Sequence, residues 1–220
     1  MASTGNAIIA AASDKGLKIE TRIAYNANSS DVSAQVLQLK SADVDVAIFV
    51  SYTSDSILFM KTMHTLNWKP PLLIGDDSGF SDNAFIEAVG GLAQGVFNRS
   101  SYDIGKPGSA PFVVNEIYLK HVGHALDDTS ARGMQGFLAL MEAINRAGST
   151  EPAKIQAALI SQDLKPEQLM IGYNGIKYDA KGQNTLAATM LVQLEGKKYV
   201  SVWPAKSAVQ APALPFKGWG

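Results

Sequence analysis

The first hundred residues alternate between helical and strand periodicity, and that alternation restricts the chain to an α/β architecture. Its clearest element is Val44 to Val50, read Val-Asp-Val-Ala-Ile-Phe-Val. Such a nearly continuous apolar run is expected of a strand covered on both faces. Upstream, Ser3 and Thr4 are placed to cap a helix that runs to Lys15, with Gly16 as its left-handed terminator. Leu17, Ile19, Ile23 and Tyr25 alternate as a strand over 18–25 should, and Ser30 or Asp31 caps a helix carrying Val32, Val36 and Leu39 on one stripe. Downstream, a helix from about Ser54 presents Phe59, Met63 and Leu66 and is stopped by Pro70-Pro71. A short strand at Leu72–Ile74, a helix at Ser81–Val89 ending in Gly90-Gly91, and a strand at Gly95–Phe97 complete the series. The order predicts a parallel sheet with flanking helices, wound by right-handed crossovers. A βαβ series opens on a strand, whereas this one opens on a helix, so one strand is expected upstream.

From about Ser100 the pattern changes. Tyr102 to Ala110 is a Gly/Pro/Ser-rich connector, and two or three helices follow it without intervening strands. The helix expected at 131–147 is apolar over most of its girth. Met134, Leu138 and Met141 form one stripe, and Phe137, Leu140 and Ile144 form another. Gly148 ends it, and Ser149-Thr150-Glu151-Pro152 starts the next with a cap and a first-turn proline. Beyond Met170, turn signals at Asp179–Gly182 and Glu195-Gly196 separate hairpin-like segments, with Met190–Leu194 and Tyr199–Trp203 paired as antiparallel strands. Residues 205–220 are rich in Ala and Pro and are expected to form an irregular surface tail.

Composition closes several functional classes. With 19 basic and 20 acidic side chains among 220 residues, the chain has no electrostatic footprint for nucleic acid. No apolar run approaches the roughly 20 residues needed to cross a bilayer. The absence of cysteine excludes disulfides, thiolate metal sites and cysteine nucleophiles. His121 and His124 have a spacing that could suit a metal, but no third ligand lies nearby in sequence, and surface histidines are the better reading. No nucleophile-elbow, phosphate-loop or dinucleotide pattern occurs, so neither a cofactor nor a catalytic group is assigned.

Two loops stand out by position. In an open α/β sheet, ligands bind beyond the carboxyl ends of the strands. Ser51-Tyr52-Thr53-Ser54-Asp55 follows one expected strand and Gly75-Asp76-Asp77-Ser78-Gly79-Phe80 follows the next, so both emerge on one rim. Tyr52, Thr53, Asp76, Asp77 and Ser78 together could hold a small zwitterion: carboxylate to ammonium, hydroxyl and backbone N–H to polar oxygens, ring to an apolar side chain. The competing reading makes Ser54 or Asp55 the cap of one helix and Asp76–Ser81 the cap of the next.

The run Asp43 to Tyr52, followed by a helix and then Pro-Leu-Leu-Ile-Gly75-Asp-Asp, resembles the second lobe of type I periplasmic binding proteins, in the branch serving branched-chain amino acid ABC transporters. Ala143–Pro152, Gly175–Asn184 and Leu191–Pro204 are similar, in the same order, to that family's C-terminal half. The resemblance implies two α/β lobes joined by a hinge, with a ligand held in the cleft. On that template, residues 1–100 with 186–204 form the second lobe, and 101–185 form the remainder of the first with its hinge crossings. Most of the first lobe, and the first strand of the second, would then be missing at the N-terminus. Tyr52 falls where the family places an aromatic residue against the ligand, and Asp77 where an acidic residue meets the ammonium group. Near the start of the 131–147 helix, where an aromatic residue is usual, this chain has Gly133-Met134-Gln135, which widens the expected ligands from branched-chain amino acids to another small acid or amide.

The implied function is the substrate-binding component of an ABC importer, or a fragment of one. It would work in the periplasm with a permease as partner, although Met1-Ala2-Ser3-Thr4 is not a signal peptide. The alternatives are a hydrolase on the same half-fold, with His64, His121 or His124 as base, and an oligomeric module without a ligand. With a lobe missing, the exposed strand edge and apolar helix sides lead to the expectation of a homo-oligomer.

Overall fold

The computed structural model describes residues 2–219. They divide into two compact units: Ser100–Met190, and the residues on either side of that segment.

In the first unit, α1 (Ala2–Asp14) takes in both Ser3 and Thr4, so neither caps it, while Gly16 ends it at φ +70°. Residues 17–26 form no strand, contrary to the expectation from their alternation. Alternation selects a face, but a ladder also needs a neighbour for its N–H and C=O groups. Leu17 and Ile19 are exposed as a result. Asp31 receives Ser33 N–H at 2.9 Å ahead of α2 (Ser33–Ser41), which buries Val36. Then follow β1 (Val46–Val50), α3 (Thr53–Thr65), β2 (Leu72–Asp76), α4 (Asn83–Val89) and β3 (Phe97–Ser100). β1 pairs parallel with β2, from Val46 opposite Leu72 to Val50 opposite Asp76, and β2 pairs parallel with β3.

β1 corrects the sequence reading in one respect. It stands at an edge of the sheet and is covered on one face only: Ala47 and Phe49 are buried, whereas Val46 and Ile48 are 43% and 44% exposed. The core under that face is built from Val32, Val36, Phe59, Met60, Met63, Leu73 and Phe85.

The second unit carries α5 (Ala110–Val122), α6 (Asp128–Ala147), α7 (Pro152–Ile160) and a two-stranded antiparallel ladder of β4 (Asp163–Leu164) and β5 (Ile176–Lys177). A capping box between Asp127 and Ser130 starts α6, and Gly148 at φ +55° ends it. The inward stripe of α6 is Ala131, Gln135, Ala139 and Ala143 rather than either large-residue stripe. Phe137, Leu138, Leu140 and Met141 are exposed, Phe137 by 56%. Small side chains on that face let Gln162 donate to the Ala139 carbonyl at 2.6 Å and let Gln135 accept Met170 N–H at 2.8 Å.

The chain returns as an antiparallel hairpin, β6 (Met190–Glu195) and β7 (Lys198–Trp203), turning at Gly196 with φ +61°. The sheet order is β1-β2-β3-β6-β7, a mixed sheet with a parallel half. The last residues are irregular as expected, but they are not a loose surface tail. Phe216 is 2% exposed within the first unit's core, its N–H bonds the Pro71 carbonyl at 2.7 Å, and Gln193 clamps both backbone groups of Ala213. A single aromatic residue in an Ala/Pro-rich stretch is enough to dock it.

Phe216→Ala empties that seat and should cost about 3–5 kcal/mol, the range for truncating a buried phenylalanine. Urea unfolding measures it, and a loss well under 1 kcal/mol would return the segment to the surface.

Candidate functional site

The two rim loops do come together. Gly79 N–H donates to the Ser51 carbonyl at 3.1 Å, Ser51 N–H to the Asp76 carbonyl at 3.4 Å, and Ser56 Oγ to the Gly79 carbonyl at 2.6 Å. A Cβ on Gly79 would stand 2.3 Å from the Ser51 carbonyl oxygen, so only glycine permits this approach. Beneath the turn, Phe80 lies over Gly75, where a Cβ would meet the ring at 2.2 Å.

Each residue singled out from the sequence has a distinct setting. Tyr52 precedes α3, is 47% exposed and makes no side-chain hydrogen bond among the described residues. Thr53 Oγ1 donates to Asp82 at 2.9 Å, which joins the start of α3 to the cap of α4. Asp76 is nearly buried, and its Oδ1 accepts both Arg99 Nε at 2.6 Å and Asp77 N–H at 2.7 Å. Asp77 is half-buried, with Oδ1 receiving Ser78 N–H at 2.9 Å. Its backbone, at φ +76° and ψ 177°, occupies a region that costs a non-glycine residue on the order of 1–3 kcal/mol. The Ser78 carbonyl receives the N–H groups of Ser81 and Asp82 at 3.2 Å. The capping alternative fails for both helices: Ser54 and Asp55 lie inside α3, which starts after Tyr52, and α4 is capped by Asp82, while Asp77 caps only the short 3₁₀ turn at 78–80.

Behind the rim lies a layer that the sequence reading missed. Asp55 is buried in the first turn of α3 and receives Asn28 N–H at 2.9 Å and the Tyr25 hydroxyl at 3.4 Å. Burial, and then the Asp55 carboxylate, push the Tyr25 phenol well above its ordinary value. The Tyr199 hydroxyl of β7 donates to the Phe80 carbonyl at 2.6 Å, and burial raises that phenol as well. Arg99 was also missed, because the expected strand stopped at Phe97 while β3 runs through Arg99. Apolar periodicity carries no signal for any of these side-chain bonds.

The histidines lie elsewhere. His64 is in the last turn of α3, edge-on to Trp219, at the end of the helix opposite Tyr52. His121 is in the last turn of α5, but that helix ends before Gly123, so His124 does not share its face. In the second unit, a cavity of about 380 Å³ is lined by Asp103, Ser109, Glu167, Met170 and Tyr173 among others, with no basic side chain among the described residues.

Gly79→Ala should force the two loops apart and lower stability by about 1–3 kcal/mol, as overpacked sites do. Its thermal unfolding, compared with the parent's, decides the matter. Tyr199→Phe, which leaves the Phe80 carbonyl unpaired, should cost about 1–3 kcal/mol at neutral pH. The buried phenols retain their protons in the folded state above the ordinary value of 10.0. Their contribution is therefore complete below pH 10 and is lost as pH rises beyond it. Urea titrations between pH 8 and 11 should show this fall, and a shallower one for Tyr199→Phe.

The comparisons with known proteins agree with this architecture. A family model described as periplasmic binding protein matches residues 2–198. Leu/Ile/Val-binding protein homolog 7 of Brucella abortus is 31% identical over 213 residues, covering 92% of this chain and 52% of the relative. Homolog 8 from the same organism is 31% identical over 201 residues, covering 88% and 49%. Among solved structures, a leucine binding protein from Thermotoga maritima shares the fold with a TM-score of 0.75 at 20% identity, over 90% of this chain and 54% of that one. A putative branched-chain amino acid ABC transporter protein from Silicibacter pomeroyi gives 0.74 at 18%, over 96% and 57%. The chain spans about half the length of the curated relatives it matches. Both curated relatives carry the name of a binding protein. This chain belongs to the periplasmic binding protein family.

Proposed function

We propose that the chain is a substrate-binding component of an ABC importer, or part of one, and that it takes a small amino acid or a related small acid or amide at the rim formed by Tyr52, Thr53, Asp76, Asp77 and Ser78. The observation that carries this reading is the union of the two loops at the carboxyl ends of β1 and β2. Asp77 offers its second carboxylate oxygen to a ligand ammonium, Tyr52 offers an exposed ring to an apolar side chain, and Ser78 offers a hydroxyl. Thr53 and Asp76 hold the loops in place. The names of the Brucella relatives support an amino acid as ligand.

On this reading the protein acts in the periplasm and presents its ligand to a membrane permease. Residues 1–100 with 186–204 serve as the second lobe and 101–185 as part of the first. Ligand binding works by shifting populations: a closed form with better ligand contacts becomes the dominant one. The same reading includes self-association, because Phe137, Leu138, Leu140 and Met141 of α6 form an exposed apolar face that a second copy can cover.

Calorimetry with L-leucine and a panel of small amino acids tests the binding role. Asp77→Asn should weaken the best ligand at least tenfold, about 1.4 kcal/mol, and Tyr52→Ala should weaken apolar ligands more than alanine. Failure of the whole panel to bind, or an unchanged affinity in Asp77→Asn, would remove the reading. Sedimentation at micromolar concentration should show a dimer or larger species that Phe137→Glu with Met141→Glu disperses. A monodisperse parent monomer would end the self-association claim.

A further inference from the structure

Arg99 stands at the carboxyl end of β3, one strand over from Asp76, on the same rim as the loops above. Among the described residues its side chain is held by a single polar contact: Nε donates to Asp76 Oδ1 at 2.6 Å. The two terminal nitrogens have no protein partner among the described residues, and the side chain is 41% exposed. An arginine that served only to neutralise buried Asp76 would be expected to engage it with the whole fork, since paired N–H donors match a carboxylate bidentately. Here the anchoring is through the inner nitrogen alone, and the fork is left over.

The same Asp76 oxygen also receives Asp77 N–H at 2.7 Å. One acceptor atom therefore holds both the guanidinium and the Asp77 backbone N–H, so the Asp77 carboxylate and the Arg99 fork belong to one rim. Such a pair suits a dipolar ligand and discriminates by charge as well as by shape. A buried carboxylate that orients an arginine is a positioning group, and its immobility reduces the ordering entropy the arginine loses on binding.

We infer that Arg99, held by Asp76, binds the carboxylate of the ligand and restricts the site to small carboxylic acids. This rests on the amino-acid reading above but separates from it, since Asp77 and Arg99 recognise different ends of the molecule. Lys at position 99 would spend its one ammonium on Asp76 and keep no fork for the ligand.

The test uses L-leucine, L-leucinamide (ammonium without carboxylate) and 4-methylpentanoate (carboxylate without ammonium) in calorimetry on the purified chain. Arg99→Lys should weaken L-leucine and 4-methylpentanoate by about tenfold or more, the scale of a charge-assisted pair, while L-leucinamide moves less than twofold. Asp77→Asn should give the reverse pattern. If Arg99→Lys weakens all three equally, or none, the assignment is overturned while the ammonium reading survives. If no probe binds the parent protein, both readings fall together. Should Arg99→Lys prove unstable in thermal unfolding, the parent protein answers directly: the Nη resonances of Arg99 should shift on adding 4-methylpentanoate and stay fixed with leucinamide, and unmoved resonances with both would overturn the inference.

Discussion

The ring of Phe80 lying over Gly75 is the contact on which the rim depends. In the β1/β2 ladder Gly75 stands opposite Phe49, and the space its missing side chain leaves is filled from the next turn. Phe80 is completely buried there, 6.4 Å from the Phe49 ring centroid and 5.0 Å from Phe85. Burying a phenylalanine contributes about 1.5–3 kcal/mol, comparable with the strain of the Asp77 backbone at φ +76°. The turn is therefore closed tightly enough to bring Gly79 onto the Ser51 carbonyl. Substitution at Gly75 would evict the ring, release the turn and separate the loops at once.

Electrostatics then fix what the packing has brought together. A carboxylate as buried as Asp76 needs hydrogen-bonding partners, and it has both a guanidinium and a backbone N–H. Asp55 is placed by the same logic, in the first turn of α3 where the helix dipole favours negative charge, with Asn28 N–H on one oxygen. Asp55 ties α3 to the 25–28 segment and Asp76 ties β2 to Arg99. Neither needs to touch a ligand to matter, because each limits how far its loop can move.

Much of the first unit was legible because its signals are local. The helices at 33–41, 53–65 and 83–89 follow from apolar spacing and their glycine and proline stops, and the convergence of two loops on one rim follows from topology alone. What was not legible depends on partners distant in sequence. The alternation in 17–25 is genuine, but no periodicity shows whether a neighbouring strand is present. The run at 44–50 is apolar on both faces, and only the packing of the folded chain reveals that one face is bare. Likewise, an Ala/Pro-rich terminus gives no hint that Phe216 inserts into a core assembled mostly from the first hundred residues.

Helix α6 shows the limit of counting apolar residues. Two large-residue stripes compete in its sequence, yet the face that packs carries alanines and a glutamine. Close approach decides this. The Ala139 carbonyl is reached by Gln162 and Gln135 reaches Met170 N–H, contacts that a leucine or phenylalanine on that face would block. A buried backbone group such as Met170 N–H left unpaired costs about 1–3 kcal/mol, whereas an exposed Phe137 or Met141 only forgoes a gain of similar size. Polar satisfaction therefore selects the small-residue face, and the large side chains are turned outward as a consequence. An apolar surface produced in this way differs from a core stripe in one useful respect: its removal should leave the fold of the second unit intact while changing what the unit can associate with.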